Sequence, residues 1–315
     1  MIQTSSRDLA IEPANIIECN HNIFFQDAIK IKNLTESIDL VVTSPPYWSI
    51  KDYGNVDQIG YNDSLDDYMK KLVEIFKACV RLLKPNSKMC INIGDVFLRA
   101  STPPKKVYQI IPLHAKLINA LIDAMPEEIV YLGSFQWEKV SRSNTSGGGQ
   151  IMGSYPFPKS GYCFFNREYI ATFRKMGAET KKTRPSEQFK NYSRLTLEEW
   201  RDYFKDVWKF SPADQKSHIA MFPEELPKRL IKMYSFVGDT ILDPFLGSGT
   251  SSLAASNLGR NSIGYEIGFE TIDGTPWKEL IKNKITKENI SMQFPLEDGN
   301  SDVLDIHNRY NFFEE

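Results

Sequence analysis

Thr240-Ile241-Leu242-Asp243-Pro244-Phe245-Leu246-Gly247-Ser248-Gly249-Thr250-Ser251-Ser252 is a short apolar run that ends on an acid and turns through two glycines. Leu253 to Leu258 then reads as a helix. A further apolar run, Ser262-Ile263-Gly264-Tyr265-Glu266, ends on another acid 23 residues after Asp243. Strand, glycine turn, helix and an acid about 20 residues on are the framework of a nucleotide-binding βαβ unit. Two details depart from the dinucleotide form. Ser252 stands where the third glycine belongs, and Asp243 at the strand end would repel a pyrophosphate. An acid there suits a ligand carrying an ammonium or sulfonium charge, and S-adenosylmethionine is such a ligand. Its ribose would reach Glu266 and its amino-acid end would lie over the turn, near the helix N-terminus. No Gly-Lys-Ser/Thr follows the glycines, which excludes a phosphate P-loop.

Working outward, Ile38-Asp39-Leu40-Val41-Val42 is a second buried-type strand, ending abruptly at Thr43-Ser44-Pro45-Pro46-Tyr47-Trp48. Ligands of open α/β sheets sit at the carboxyl ends of strands, so chemistry is expected in this loop. Two prolines remove two backbone donors and fix φ, leaving the Ser44 hydroxyl and the carbonyls around Pro45 as a rigid set of acceptors. An exocyclic base amine is conjugated and a poor nucleophile, so acceptors for its protons favour pyramidalisation as it attacks a methyl carbon. Tyr47 offers a face for stacking the base. Taken alone, the loop also reads as a polyproline ligand segment or a simple strand-end turn.

Around these motifs, Ser64 and Asp67 form a capping-box pattern ahead of Leu65, Met69, Leu72, Phe76, Cys79 and Leu83, with Pro85 and Asn86 as the stop. Lys88 to Ile93 reads as a strand closed by Gly94-Asp95, Ile110 to Met125 as a second amphipathic helix, and a short helix follows Phe222 through Tyr234. Val140 to Gly161 is Ser-, Gly- and Pro-rich and reads as a loop or insertion. Residues 139–216 carry a net charge of roughly +7 against −2 for the 315-residue chain, a place for a polyanion or simply a solvated insertion. The last thirty or so residues read as a peripheral tail.

With 41% hydrophobic residues and no uncharged apolar run of about 18, disorder and membrane spanning are excluded. The start lacks a secretory pattern, so a cytoplasmic location is expected. Cys19, Cys79, Cys90 and Cys163 form no Cys-x-x-Cys pair, so they read as reduced, mostly buried thiols, with no metal site. None follows a proline, which argues against cytosine C5 methylation through a cysteine nucleophile. Trp137, Trp200 and Trp208 read as packing aromatics.

Ser-Pro-Pro-Tyr-Trp after one strand and Asp-Pro-Phe-x-Gly-Ser-Gly-Thr after a later one resemble the β-group DNA amino methyltransferases, from about Ile16 to Phe269. Further similar blocks are Phe25-Gln26-Asp27-Ala28, with Gln26 in place of the family's glycine, Asn92-Ile93-Gly94-Asp95, Arg167 to Lys175, and His218 to Leu226. The resemblance implies a permuted Rossmann-like α/β sheet with S-adenosyl-L-methionine as cofactor. The catalytic domain would comprise residues 1–140 and 206–280, with target recognition in 141–205 and a tail over 281–315. It implies a catalytic loop of Ser44, Pro45, Pro46 and Tyr47. The cofactor site would be made by Asp27, Thr43, Phe222, Asp243, Pro244, Phe245, Gly247, Ser248, Gly249, Thr250 and Glu266, with Asp27 at the adenine edge.

Within that family Ser-Pro-Pro-Tyr goes mainly with N4 methylation of cytosine and Asp-Pro-Pro-Tyr with N6 methylation of adenine. Ser44 therefore points to N4-cytosine in double-stranded DNA, reached by base flipping, with N6-adenine as the alternative. A restriction-modification setting, with a cognate restriction endonuclease, is the implied context. Rival readings are a dinucleotide-dependent oxidoreductase, a DNA-binding module without catalysis, and an RNA or protein amine as substrate.

Overall fold

The computed structural model describes residues 17–31, 36–50, 52, 57–98, 109–139, 151–152, 162–163, 166–178, 185–212, 222–268, 270, 274–286 and 303–310. Strands are β1 (Ile17–Phe24), β2 (Ile38–Thr43), β3 (Leu83–Ile93), β4 (Val96–Leu98), β5 (Gln109–Ile111), β6 (Ile129–Lys139), β7 (Ile151–Met152), β8 (Tyr162–Cys163), β9 (Arg167–Lys175), β10 (Val207–Phe210), β11 (Thr240–Asp243), β12 (Asn261–Tyr265) and β13 (Val303–Tyr310). Helices are α1 (Leu65–Leu82), α2 (Leu113–Ala124), α3 (Glu187–Tyr192), α4 (Leu197–Tyr203), α5 (Glu225–Tyr234), α6 (Thr250–Asn257) and α7 (Trp277–Thr286).

Nine strands form one sheet in the order β10-β6-β9-β3-β2-β11-β12-β1-β13. Pairing is parallel from β3 through β1 and between β10 and β6, while β9 and β13 run against their neighbours. β2 and β11 lie side by side although Thr43 and Asp243 are 200 residues apart. From β2 the chain continues to β3 on one side, whereas from β11 it continues to β12 on the other. This is a topological switch point, the place where an open α/β sheet leaves a crevice at the carboxyl ends of its strands. The permutation follows from the same order, since β1, first in sequence, pairs in parallel with β12 near the far edge.

The residue pattern explains the layers. Along β2, Val41 joins the core under α1 and α2, where Tyr68, Leu72, Phe76 and Leu117 are buried. Its neighbours Leu40 and Val42 face the other way, into a core with Leu226, Leu230, Ile231, Ala254 and Ala255 from α5 and α6. A strand covered on both faces needs this unbroken apolar run. Helix α1 begins where expected, with Ser64 Oγ accepting from Asp67 N at 3.1 Å. Asp67 closes the motif differently from a full capping box, since its carboxylate accepts from the Ser64 hydroxyl at 2.7 Å. The apolar run ending at Ile111, read as the start of a helix, instead makes β5, paired with β4; α2 starts at Leu113, after Pro112.

Three expectations are corrected. Arg167–Lys175, inside the stretch assigned to target recognition, is strand β9, pairing with β3 and β6 in the main sheet. The tail is not merely peripheral: Ile281 and Ile285 of α7 are buried with Ile23, Phe25 and Leu246, and Val303–Tyr310 pairs along the whole of β1. Trp137 and Trp208 are core residues, but Trp200 is 55% exposed. The glycine-rich loop, residues 140–150, and residues 153–161 lie outside the described residues. Among the described residues no helix is long and apolar enough to cross a membrane.

Because Ile281 is fully buried beneath the glycine turn, Ile281→Ala is expected to destabilise the protein by about 2–5 kcal/mol. Urea denaturation checks this; an unchanged midpoint would return α7 to the periphery.

Candidate functional site

Thr43 and Asp243 end β2 and β11, and they touch. Thr43 Oγ1 donates to Asp243 Oδ1 at 2.6 Å, Ser251 Oγ donates to Oδ2 at 2.5 Å, and the Phe245 N–H donates to Oδ1 at 3.0 Å. Asp243 is only 2% exposed. The sequence reading places this carboxylate at the cofactor's amino-acid end; the structure turns it inward, where three protein donors occupy it. It therefore binds the proline loop, the glycine turn and the first turn of α6 into one unit. Burial raises its pKa to about 6, against the pull of the same three donors.

The turn beyond Asp243 is shaped for a ligand. Gly247 (φ +54) and Gly249 (φ +81) adopt left-handed backbone that a side chain would strain. A Cβ on Gly247 would meet nothing within 4 Å, so the backbone there borders open space. Glu266, just past β12, accepts from Gly247 N at 2.8 Å and Gly268 N at 3.3 Å. Its surroundings desolvate it and raise its pKa to about 7, although both amides favour the charged form. Pro244, Ser248, Gly249 and Thr250 are buried behind the turn, and Phe245 is half-buried, edge-on to Phe76.

Lys284 of α7, which the sequence reading missed, donates to Ser248 Oγ at 3.0 Å and Thr250 Oγ1 at 2.8 Å. Nothing in the spacing of the chain points to it, because α7 reaches the turn only through the fold. Asp27 lies beyond the end of β1, where its carboxylate caps a single 3-10 turn by accepting from Ile29 N at 2.9 Å. Phe222 is half-buried against the core under α5, and residues 218–221 of its block lie outside the described residues.

On the other side of the switch point, the proline loop is tied down. Tyr68 of α1 donates to the Pro46 carbonyl at 2.8 Å, and Trp48 Nε1 donates to the Asp63 carbonyl at 2.9 Å. The first bond occupies one lone pair of the Pro46 carbonyl and holds the loop against α1.

Ser44 and Tyr47 meet a polar cluster that sequence reasoning did not name. Asn92 Nδ2, near the end of β3, lies 3.3 Å from Ser44 Oγ, 3.2 Å from Tyr47 Oη and 2.7 Å from Glu168 Oε2. Glu168, from β9, is 8% exposed and also pairs with Lys139 of β6. Asn92 Oδ1 is buried without a hydrogen-bond partner among the described residues, which is uncommon in folded proteins. Burial and the adjacent Glu168 carboxylate push the Tyr47 phenol well above its ordinary range, so it stays protonated. The blocks around Asn92 and Glu168 were visible in the chain; their contact was not.

Three of the four thiols are unsuited to attack: burial raises Cys19 and Cys90 to about 12, and Cys79 higher still. Among the described residues no three His, Cys, Asp or Glu side chains are grouped to hold a metal. Of the basic stretch, Lys139, Lys175, Lys190, Lys205 and Lys209 are engaged in ion pairs within the protein, and the partners of Lys175 and Lys209, Glu36 and Glu138, lie outside the stretch and offset part of its net charge.

Residues 38–275 match the DNA methylase family of N6/N4 methyltransferases, a span holding both strand-end loops. The Type II methyltransferase M.MjaI of Methanocaldococcus jannaschii is 33% identical, over 89% of this chain and 97% of its own. M.MthZI of Methanothermobacter thermautotrophicus, also a Type II methyltransferase, is 31% identical over 86% of this chain and 78% of its own. Among solved structures, the putative DNA modification methylase TTHA0409 of Thermus thermophilus, complexed with S-adenosyl-L-methionine, superposes with a TM-score of 0.66 at 27% identity, covering 85% of this chain and 94% of that one. The cytosine-N4-specific PvuII DNA methyltransferase shares the fold, with a TM-score of 0.58 at 18% identity over 86% of this chain and 88% of its own. The family match runs from the first residue of β2 to beyond the end of β12 and so takes in the whole switch-point crevice; the chain belongs to the N6/N4 methyltransferase family of DNA methylases.

Proposed function

We propose that this protein is an S-adenosyl-L-methionine-dependent DNA methyltransferase that methylates the exocyclic N4 of cytosine in double-stranded DNA, as the modification half of a restriction-modification pair. The observation that carries the reading is the Thr43–Asp243 hydrogen bond, which sets an amine-accepting loop beside a glycine turn of cofactor type at one crevice. Family membership and the TTHA0409 complex support the cofactor, and the Type II names of the relatives support the setting and a cognate endonuclease. The serine in Ser44-Pro45-Pro46-Tyr47, a neutral acceptor where the adenine enzymes of the family usually carry aspartate, supports cytosine.

When bound, S-adenosyl-L-methionine supplies a methyl group activated on a sulfonium. Glu266 and the backbone of Phe245 to Thr250 would hold it, with Asp27 and Phe222 bordering the pocket. Ser44 Oγ and the Pro45 carbonyl accept the protons of the target amine and orient its lone pair, so the rate gain comes from alignment and preorganised acceptors. A base amine paired inside a duplex is not accessible to in-line transfer, so the base is flipped out, with the Tyr47 ring as its stacking face. The parts of 141–205 outside β9 are assigned to target recognition; β9 goes with the catalytic sheet of 1–140 and 206–280.

Incubation with unmethylated DNA and methyl-labelled cofactor, followed by nucleoside mass spectrometry, is expected to place the label in N4-methylcytosine. Label in N6-methyladenine would keep the mechanism and overturn the base. Ser44→Ala should lower turnover about a hundredfold with cofactor affinity nearly unchanged by calorimetry; equal losses in both would refute the division of roles. For Glu266, ionisation is what strengthens its acceptance of ribose hydroxyls and its attraction to a cationic ligand. With its pKa raised to about 7 in the free enzyme, cofactor affinity should improve as pH rises through 7 and then level off. Glu266→Gln should abolish that rise and weaken binding at pH 8 by about ten- to a hundredfold, the worth of a hydrogen bond to a charged group.

A further inference from the structure

Methyl transfer to an exocyclic amine leaves the nitrogen with one proton more than the product keeps, and acceptance by Ser44 and Pro45 alone gives that proton no final destination. The cluster beside Ser44 supplies one. The Ser44 and Glu168 side chains both bear on the ionisation of the Tyr47 hydroxyl. Asn92 donates its amide toward Ser44 Oγ, Tyr47 Oη and Glu168 Oε2, holding the three oxygens around one point. Lys139 fixes the second carboxylate oxygen from β6.

Strand direction brings these groups together. Strand β9 runs antiparallel to β3, so its beginning, Glu168 and Tyr169, arrives at the edge where β2 and β3 end, with Tyr169 opposite Ile93. Gly94 follows Ile93, and a Cβ there would stand 3.1 Å from Glu168 Cγ and 3.2 Å from Tyr47 Cε2, tight enough that one of the two would have to shift. The missing side chain lets Glu168 and Tyr47 share the space.

We propose that Glu168 is the terminal proton acceptor of the transfer, reached from the target amine through the hydroxyls of Ser44 and Tyr47. As the N–H bond breaks, Ser44 Oγ takes the proton and passes its own to Tyr47 Oη, which passes its own to the Glu168 carboxylate. One proton moves in net, the N–H electron pair stays on nitrogen, and the carboxylate becomes a carboxylic acid. No covalent enzyme intermediate forms, and the relay is indifferent to whether the amine belongs to cytosine or adenine. It rests on the amino-methyltransferase reading, which label from the wild-type enzyme in either methylated nucleoside tests separately.

The test is single-turnover methyl transfer by the wild type, Glu168→Gln and Glu168→Ala. Cofactor affinity is followed by calorimetry, and base extrusion by the fluorescence of 2-aminopurine placed at the target. Glu168→Gln keeps the shape and the contact to Asn92 but removes the basic oxygen pair. Its transfer rate should fall about a hundredfold, the scale of general base catalysis, with affinity and extrusion within about twofold of wild type. Added formate should restore rate to Glu168→Ala in proportion to its concentration, while chloride at equal ionic strength should not. A Glu168→Gln enzyme that transfers at the wild-type rate would overturn the proposal, as would losses of affinity or extrusion that match the loss of rate, since Glu168 would then only hold the loop in place.

Discussion

A single buried carboxylate organises this protein. Asp243 stands where β11 ends and takes hydrogen bonds from the Thr43 hydroxyl, the Phe245 amide and the Ser251 hydroxyl. A carboxylate removed from water is costly unless several donors surround it, and here the donors come from three different pieces of the crevice. Satisfying Asp243 therefore requires β2, the glycine turn and α6 to be in register at once. The penalty is partly retained, as the pKa raised to about 6 records. The reward is that the proline loop and the glycine turn have a fixed mutual position.

The two sides of the crevice are stiffened by different means. The turn is glycine backbone, braced below by Ile281 and Lys284 of α7 and across by Glu266. The loop is proline backbone, pinned at Pro46 by Tyr68 and anchored at Trp48. On both sides the backbone takes a conformation its residues suit, left-handed at the glycines of the turn and fixed in φ at the prolines of the loop. That suits a transfer whose barrier is lowered by placing one lone pair in line with one carbon.

The antiparallel strand β9 has a consequence a purely parallel sheet would lack. Parallel strands end at the crevice with their last residues, whereas β9 delivers its first ones, Glu168 and Tyr169, to the same edge. A carboxylate can thus be set behind the proline loop without lengthening any loop. Its charge is balanced by Lys139, one of the residues that make the middle of the chain basic, so part of that positive charge serves the interior of the site rather than a polyanion.

Much of this was legible in the chain. Ile38 to Val42 and Thr240 to Leu242 announce buried strands by composition, Ser64 announces the start of α1, and the glycines and prolines announce turns whose backbone no other residues adopt at so little cost. These are local facts, set by side-chain shape and backbone sterics within a few residues. What the tertiary structure alone decided is which local pieces face one another. Asp243 reads from the sequence as a ligand's counter-charge, and only the fold shows that it also clasps Thr43 to Ser251. Asn92, Glu168 and Lys139 sit in three separate segments, and Lys284 in a stretch that reads as tail. The chain determined the elements and the chemistry of its two strand-end loops. Sheet order and strand direction determined which carboxylates meet donors and which meet the crevice, because burial and hydrogen-bond partners are properties of neighbours in space, not in sequence.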